Sequence, residues 1–200
     1  MKRSTRNAAK TKQEIIEKSA AVFNVHGYAG TKMQMLVDAT GFQMGGIYRH
    51  FGTKMELAKA AFQYNYQILI KSNFEVEPQL NPQEKLSTIF QNYKRMALKP
   101  TIPGGCPILN TAIEVDDTDE AFRQLAKTAY EDVVSMIAKL LEEGKAQGFF
   151  KPEIDSQKEA QFVFASIEGA IMVSTISRDR EAFVNIFDRT QSYLEGKVFL

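Results

Sequence analysis

The chain has 200 residues, of which 44% are hydrophobic and 24% charged, with 14 phenylalanines; that composition supports a buried core and excludes an extended disordered chain. Its one cysteine, Cys106, excludes an intramolecular disulfide. The N-terminal MKRSTRNAAK lacks the apolar run of a secretory signal, so a cytoplasmic protein is expected. A net charge of +1 conceals an asymmetry: residues 1–60 carry ten Lys/Arg against four Asp/Glu, or +6, and residues 61–200 carry fifteen against twenty, or −5, which turns the first third toward a polyanion.

Taken in chain order, the periodic segments read as helices. Thr11 with Glu14, Thr31 with Gln34 and Thr53 with Glu56 each place a hydroxyl three residues before a carboxylate or amide, the spacing of a capping box, and so predict helix starts near 11, 31 and 53. The first helix carries Ile15, Ile16, Ser19, Val22 and Phe23 inward and ends at His26-Gly27. A short second helix over 31–40 turns Met33, Leu36 and Val37 inward, Gly41 breaks it, and a short third over 43–51 buries Ile47 and Phe51, one turn apart. Two short helices across a tight glycine turn form the helix-turn-helix pattern. A long helix follows over 53–73, and Asn81-Pro82-Gln83-Glu84 supplies cap, first-turn proline and acidic residue for another that reaches Leu98.

All six prolines lie after residue 77, and the stretch 99–107, with Gly104-Gly105, is the main loop. Further helices are expected over 108–115, over 117–145 with Asp117 and Glu120 at its start and Gly144 or Gly148 at its end, over 156–178 and over 181–196. No run alternates with period two between hairpin turns, so no sheet is expected. The most apolar segment, 162–176, falls short of the ~20 residues that span a bilayer and holds Glu168 at its middle, so a buried helix and no membrane partner are predicted.

The run from Thr11 to Leu57 resembles the DNA-binding domain of the tetracycline-repressor (TetR/AcrR) family. The resemblance lies in Phe23 before Gly27-Tyr28, Thr31 at the second helix, Ala39 and Gly41 around the turn, and Gly45 through Ile47-Tyr48-x-His50-Phe51 with Thr53-Lys54-x-x-Leu57. It implies an all-α fold: a three-helix helix-turn-helix domain over residues 1–53 with a basic N-terminal arm, then a six-helix domain over 54–200 that binds an effector and dimerises. It also implies that the helix over 43–51 enters the major groove of double-stranded DNA while Thr31, Tyr48, His50 and Lys54 touch phosphates.

A hydroxyl and free amides at a helix N-terminus suit an anion, a phenol and an imidazole can donate to phosphate oxygens, and Lys54 starts a helix whose N-terminal dipole also points at the DNA backbone. Gln43 and Met44 would face bases, since early residues of a recognition helix reach base edges and Gln can pair with an adenine edge at two points. Gly45 and Gly46 depart from the usual family pattern; each gives up about 1 kcal/mol of helix propensity relative to alanine and admits close approach of a backbone to DNA. Lys2, Arg3 and Arg6 would form the arm.

Toward the C-terminus, residues 169–196 resemble the last two helices of the family, which pair across a homodimer. Ala165, Gly169 and Ala170 form a small-residue face, and Phe183, Ile186 and Phe187 supply apolar anchors. For an effector site the central helices offer Tyr93, Met96, Phe122, Phe164 and Met172, with Glu114 and Glu168 to orient a ligand. Cys106 and Asn110 sit in a Gly-Cys-x-x-x-Asn stretch like that of family members that respond to electrophiles through a cysteine.

Two histidines and one cysteine give no metal-ligand spacing, and no nucleophile elbow, phosphate loop or dinucleotide glycine pattern occurs. No cofactor, metal or enzymatic activity is therefore expected. The reading is a sequence-specific regulator, a repressor relieved by a small molecule and bound to a palindromic operator as a dimer; the alternative is a helical small-molecule-binding protein without DNA function.

Overall fold

The structure is a computed structural model that describes residues 2–115 and 120–200, with side chains from Asn7 to Glu114 and from Glu120 onward. Among the described residues nine α-helices follow one another: α1 (Lys2–Gly30), α2 (Met33–Thr40), α3 (Met44–Phe51), α4 (Lys54–Phe74), α5 (Pro82–Leu98), α6 (Pro107–Val115), α7 (Glu120–Ala146), α8 (Ser156–Ser177) and α9 (Arg180–Tyr193), with a π turn at Leu194–Val198. Among the described residues the extended pairing is confined to an isolated bridge between Phe150 and Phe199. The all-α class expected from the sequence is the class observed.

Contacts divide the chain into two compact units, Met1–Leu69 with Ile102–Ala126, and Ile70–Thr101 with Lys127–Leu200. The first unit therefore holds most of α4, all of α6 and the start of α7 besides the three leading helices. Its core is built from Ile15, Ala20, Phe23, Leu36, Ile47, Phe51, Leu57, Ala58, Ala61 and Phe122, with Ile16, Val22, Met33 and Val37 packed against it. Ile15, Ile16, Val22, Phe23, Met33, Leu36, Val37, Ile47 and Phe51 are the inward positions that 3.6-residue periodicity selects in the first three helices, while Leu57, Ala58 and Ala61 come from α4 and Phe122 from α7. Asn65 on α4 ties the core to α1 by donating to the Ala20 carbonyl at 3.0 Å.

The helix starts separate the capping boxes that form from those that only match the spacing. Asn81 makes the complete box: its Oδ1 accepts from Glu84 N–H and Glu84 Oε2 accepts from Asn81 N–H, both at 2.9 Å, with Pro82 in the first turn. Thr53 makes half of one, accepting from Glu56 N–H at 3.1 Å, while the Glu56 carboxylate pairs with Lys59 at 3.0 Å. Thr11 is no cap, because α1 begins at Lys2 and the preceding turn satisfies its N–H. Thr31 is no cap either: Lys32 takes that position, and the Thr31 hydroxyl donates back to the Gly27 carbonyl at 2.6 Å. Asp117 lies outside the described residues.

In the second unit α8 lies along α9, and α9 packs on α5. The rings of Phe90 and Phe187 are 4.0 Å apart and those of Phe183 and Phe187 5.0 Å. Lys94 on α5 reaches Asp188 on α9 at 2.8 Å. Asp155 caps α8 by accepting from Lys158 N–H at 3.1 Å. α8 has 22 residues, more than the apolar segment counted from the sequence, and by length and composition alone it could cross a membrane. Its inner face, with Ala160, Val163, Phe164, Ile167, Ala170 and Ile171, is buried inside the unit.

Candidate functional site

The turn between α2 and α3 is fixed by local bonds and one reach from α1. Gly41 adopts the left-handed conformation (φ 78°, ψ 3°) and its N–H donates to the Val37 carbonyl; a non-glycine residue is disfavoured there. The Thr40 hydroxyl donates to the Leu36 carbonyl at 2.6 Å and accepts from Phe42 N–H at 3.2 Å. Lys18 of α1 holds the Thr40 carbonyl at 3.2 Å, a cation at a helix C-terminus, where the dipole favours it. The Gln43 carbonyl opens α3 by accepting from the N–H groups of Gly46 and Ile47 at 2.8 and 3.1 Å.

From that turn α3 presents two unlike faces. Ile47 and Phe51 are buried, whereas Gln43, Met44, Gly45, Tyr48 and Arg49 are exposed and Gly46 and His50 are half-buried. A Cβ added at Gly45 or Gly46 would meet nothing within 4 Å, and neither residue has a positive φ. No packing or backbone demand inside the chain calls for these glycines, although each lowers helix propensity by about 1 kcal/mol. What they provide is an open strip on the outer face of the helix.

Of the four phosphate candidates, the structure presents Tyr48 openly and His50 partly. Thr31 is only 1% exposed, with its hydroxyl hydrogen engaged at Gly27. Lys54 donates to the Tyr28 carbonyl at 2.5 Å and its ammonium lies 4.4 Å from the centre of the Tyr28 ring. Burial pushes the Lys54 amine below the usual lysine range, opposed by the charge of Glu114. Both residues thus shape the corner after α1 within this chain. Two exposed cations on the same module, Lys32 and Arg49, were missed; Arg49 stands one turn after Gly45, a spacing that could have found it. The side chains of Lys2, Arg3 and Arg6 lie outside the described residues.

The corner itself is built by α6. Gly27 kinks α1 at φ 70°, ψ 171°, a region essentially restricted to glycine. A Cβ at that position would also stand 2.7 Å from the Glu114 carboxylate oxygens. Those oxygens accept from the N–H groups of Tyr28 and Ala29 at 2.8 and 2.7 Å, charge-assisted bonds at a helix break. Asn110 donates to the Asn24 and Gly104 carbonyls at 3.2 and 2.8 Å, and Asn24 donates to the Pro103 and Gly105 carbonyls at 2.6 and 3.0 Å.

The effector candidates separate accordingly. Asn110, Glu114 and Phe122 line one cavity of about 410 Å³ in the first unit, and Cys106 beside it is 1% exposed, a packed thiol. Tyr93, Met96, Phe164 and Glu168 are buried in the second unit, where Met172 is 42% exposed.

The dimer candidates separate too. Ala170, Phe183 and Phe187 are at most 1% exposed: they face inward, because Phe187 fills the space against Phe90. Ala165 is exposed, and Gly169 and Ile186 are half-buried. The outward stripe of α8 instead runs Phe162, Ala165, Gly169, Met172, Ile176, with Phe162 44%, Met172 42% and Ile176 78% exposed. Its alternating steps of three and four residues are the spacing of a helix–helix seam.

Among the described residues no three His, Cys, Asp or Glu side chains group as metal ligands.

Comparison with known proteins places this arrangement. Residues 15–61 match the model for bacterial regulatory proteins of the tetR family, and residues 82–189, more than half of the chain, match the tetracyclin repressor-like C-terminal domain. The HTH-type transcriptional repressor DhaR of Mycobacterium sp. (strain GP1) is 28% identical over 173 residues, 85% of each chain. A TetR transcriptional regulator of Chloroflexus aurantiacus is similar in structure, with a TM-score of 0.90 and 32% identity over 98% of this chain and 99% of that one. A TetR-family regulator of Cytophaga hutchinsonii gives 0.85 and 32%, covering 96% of each. With a helix-turn-helix whose α3 turns a polar, glycine-opened face outward, and with family matches over both halves, this chain belongs to the TetR family and is a DNA-binding transcriptional regulator.

Proposed function

We propose that the protein is a repressor that binds a palindromic operator as a homodimer in the cytoplasm and is released by a small-molecule effector. The observation that carries the DNA contact is the outer face of α3, where Gly45 and Gly46 leave a strip that nothing in the chain occupies between Gln43 and Met44 on one side and Tyr48 and Arg49 on the other. Gln43 and Met44 read bases; Tyr48, His50 and Arg49 hold phosphates. Thr31 and Lys54 act indirectly, by fixing the corner from which α2 departs. In functional terms residues 1–53 form the DNA-binding domain and 54–200 the effector and dimer domain.

The apolar stripe on α8 supports the homodimer: Ala165 and Gly169 allow close helix approach, and Phe162, Met172 and Ile176 flank them without a charge. Two recognition helices then enter successive major grooves about 34 Å apart. Selection of bound fragments from randomised duplex DNA is the test. An enriched palindrome with half-sites one turn apart is expected, together with a salt slope of about −5 for roughly six phosphate contacts. Unenriched DNA at low salt refutes the reading and restores the alternative of a helical small-molecule-binding protein.

A further inference from the structure

The cavity of about 410 Å³ in the first unit is of a size that encloses a small organic ligand, and its wall has a definite chemistry. Phe23, Tyr28, Phe62 and Phe122 supply aromatic surface, and Glu114 supplies a carboxylate; no lysine or arginine lines it. Three asparagines, His26 and Thr111 complete the polar part of the wall. The asparagine NH2 groups are engaged: Asn65 donates to the Ala20 carbonyl, and Asn24 and Asn110 to carbonyls of the loop and of α1. The Asn24 oxygen already accepts from Asn110 at 3.4 Å, so what Asn65 and Asn110 offer a ligand is acceptor oxygen. Aromatic faces, acceptor oxygens and a carboxylate, with no lysine or arginine in the lining and with Lys54 held against the Tyr28 ring outside it, describe a receptor for an organic ammonium group.

We propose that this cavity binds a lipophilic primary amine in its ammonium form, the N–H donors meeting the amide oxygens and Glu114 and the apolar body lying against the aromatic rings. Ile113 and Val25, both lining residues, are 66% and 52% exposed and form the apolar rim through which the body enters. Glu114 also accepts the N–H groups of Tyr28 and Ala29, so the same carboxylate faces the ligand and holds the corner ahead of α2. Occupancy and corner geometry therefore share one group. Because linkage is reciprocal, operator DNA and amine change each other's affinity by the same factor; this consequence rests on the regulator reading above, whereas the binding itself does not.

The test uses the full chain with two isosteric probes, 4-phenylbutylamine and 4-phenylbutanol, titrated by calorimetry at neutral pH. The amine is expected to bind at least about tenfold more tightly than the alcohol. Ile113→Lys places a like charge at an exposed rim position and is expected to weaken the amine about tenfold while changing the alcohol by less than about twofold. Thr111→Trp, which fills the cavity, is expected to weaken both, with thermal melts confirming that each variant is folded. Equal binding of the two probes overturns the site, and so does amine binding that ignores both substitutions but falls in Phe164→Ala. Amine affinity is then measured with saturating selected duplex: an equal reciprocal shift supports the coupling, and an unchanged affinity overturns it. If the chain binds no selected duplex, the regulator reading fails, while calorimetry still decides the site.

Discussion

Replacing Gly45 and Gly46 together by alanine sets stability against function. Neither position has a positive φ, and an added Cβ meets nothing within 4 Å at either, so no steric penalty accompanies the change. Each substitution recovers about 1 kcal/mol of helix propensity. The two methyls emerge about 100° apart around α3 and share no partner, so the gains add to about 2 kcal/mol. For a chain of this size that raises Tm by about 4–8 °C. On DNA the same methyls occupy the strip through which the helix backbone approaches the groove. Displacing the recognition helix forfeits base contacts worth about 1–3 kcal/mol each, so operator affinity falls at least tenfold. A calorimetric melt and fluorescence anisotropy on the selected duplex read the two effects on one preparation. A double variant that is more stable and binds DNA unchanged refutes the assignment of this face; one that is less stable refutes the account of the glycines.

Arg49→Ala is expected to weaken specific and non-specific duplexes alike and to reduce the salt slope by about one for each half-site, as read by anisotropy over a salt series. Gln43→Ala is expected to relax preference at one base position in repeated selection; a uniform loss across sequences removes Gln43 from base readout. Ile176→Lys, at a site 78% exposed, is expected to shift the chain toward monomer in sedimentation and to lower the melting temperature as the partner's stabilisation is lost, with circular dichroism showing that the helices are retained; an unchanged association state removes the α8 stripe from the interface. The Asp155 carboxyl is held below its usual value of 3.8 by side-chain and then backbone hydrogen bonds from Lys158. Carboxyls depressed in the folded state stabilise it above their unfolded pKa and lose that effect as pH falls through the folded one. The amides of Lys158 and its neighbours at the start of α8 should therefore lose exchange protection below about pH 4, and Asp155→Asn, which keeps an acceptor without the charge, should flatten the change.

Local physics made much of this protein legible in its sequence. The break at Gly41, the kink at Gly27, the inward pairs Leu36 and Val37, Ile47 and Phe51, and the capping box at Asn81 each depend on residues within about one helical turn, so spacing alone announces them. The DNA-facing roles of Gln43, Met44, Tyr48 and His50 on α3 came from the family resemblance, and the spacing fixed only which side of that helix is buried. Contacts between residues distant in sequence decided the rest. Thr31 looked like a cap until Gly27 claimed its hydroxyl, and nothing local announces that the Lys54 ammonium bonds the Tyr28 carbonyl. Glu114 stands some 85 residues from the backbone groups it holds, and no local pattern encodes that pairing. Phe183 and Phe187 carry the same hydrophobicity as an exposed dimer anchor. Only the position of Phe90 beside them determines that they point inward and leave the outer face of α8 open, because a helical sequence fixes which residues share a stripe but not which stripe finds a partner within the chain.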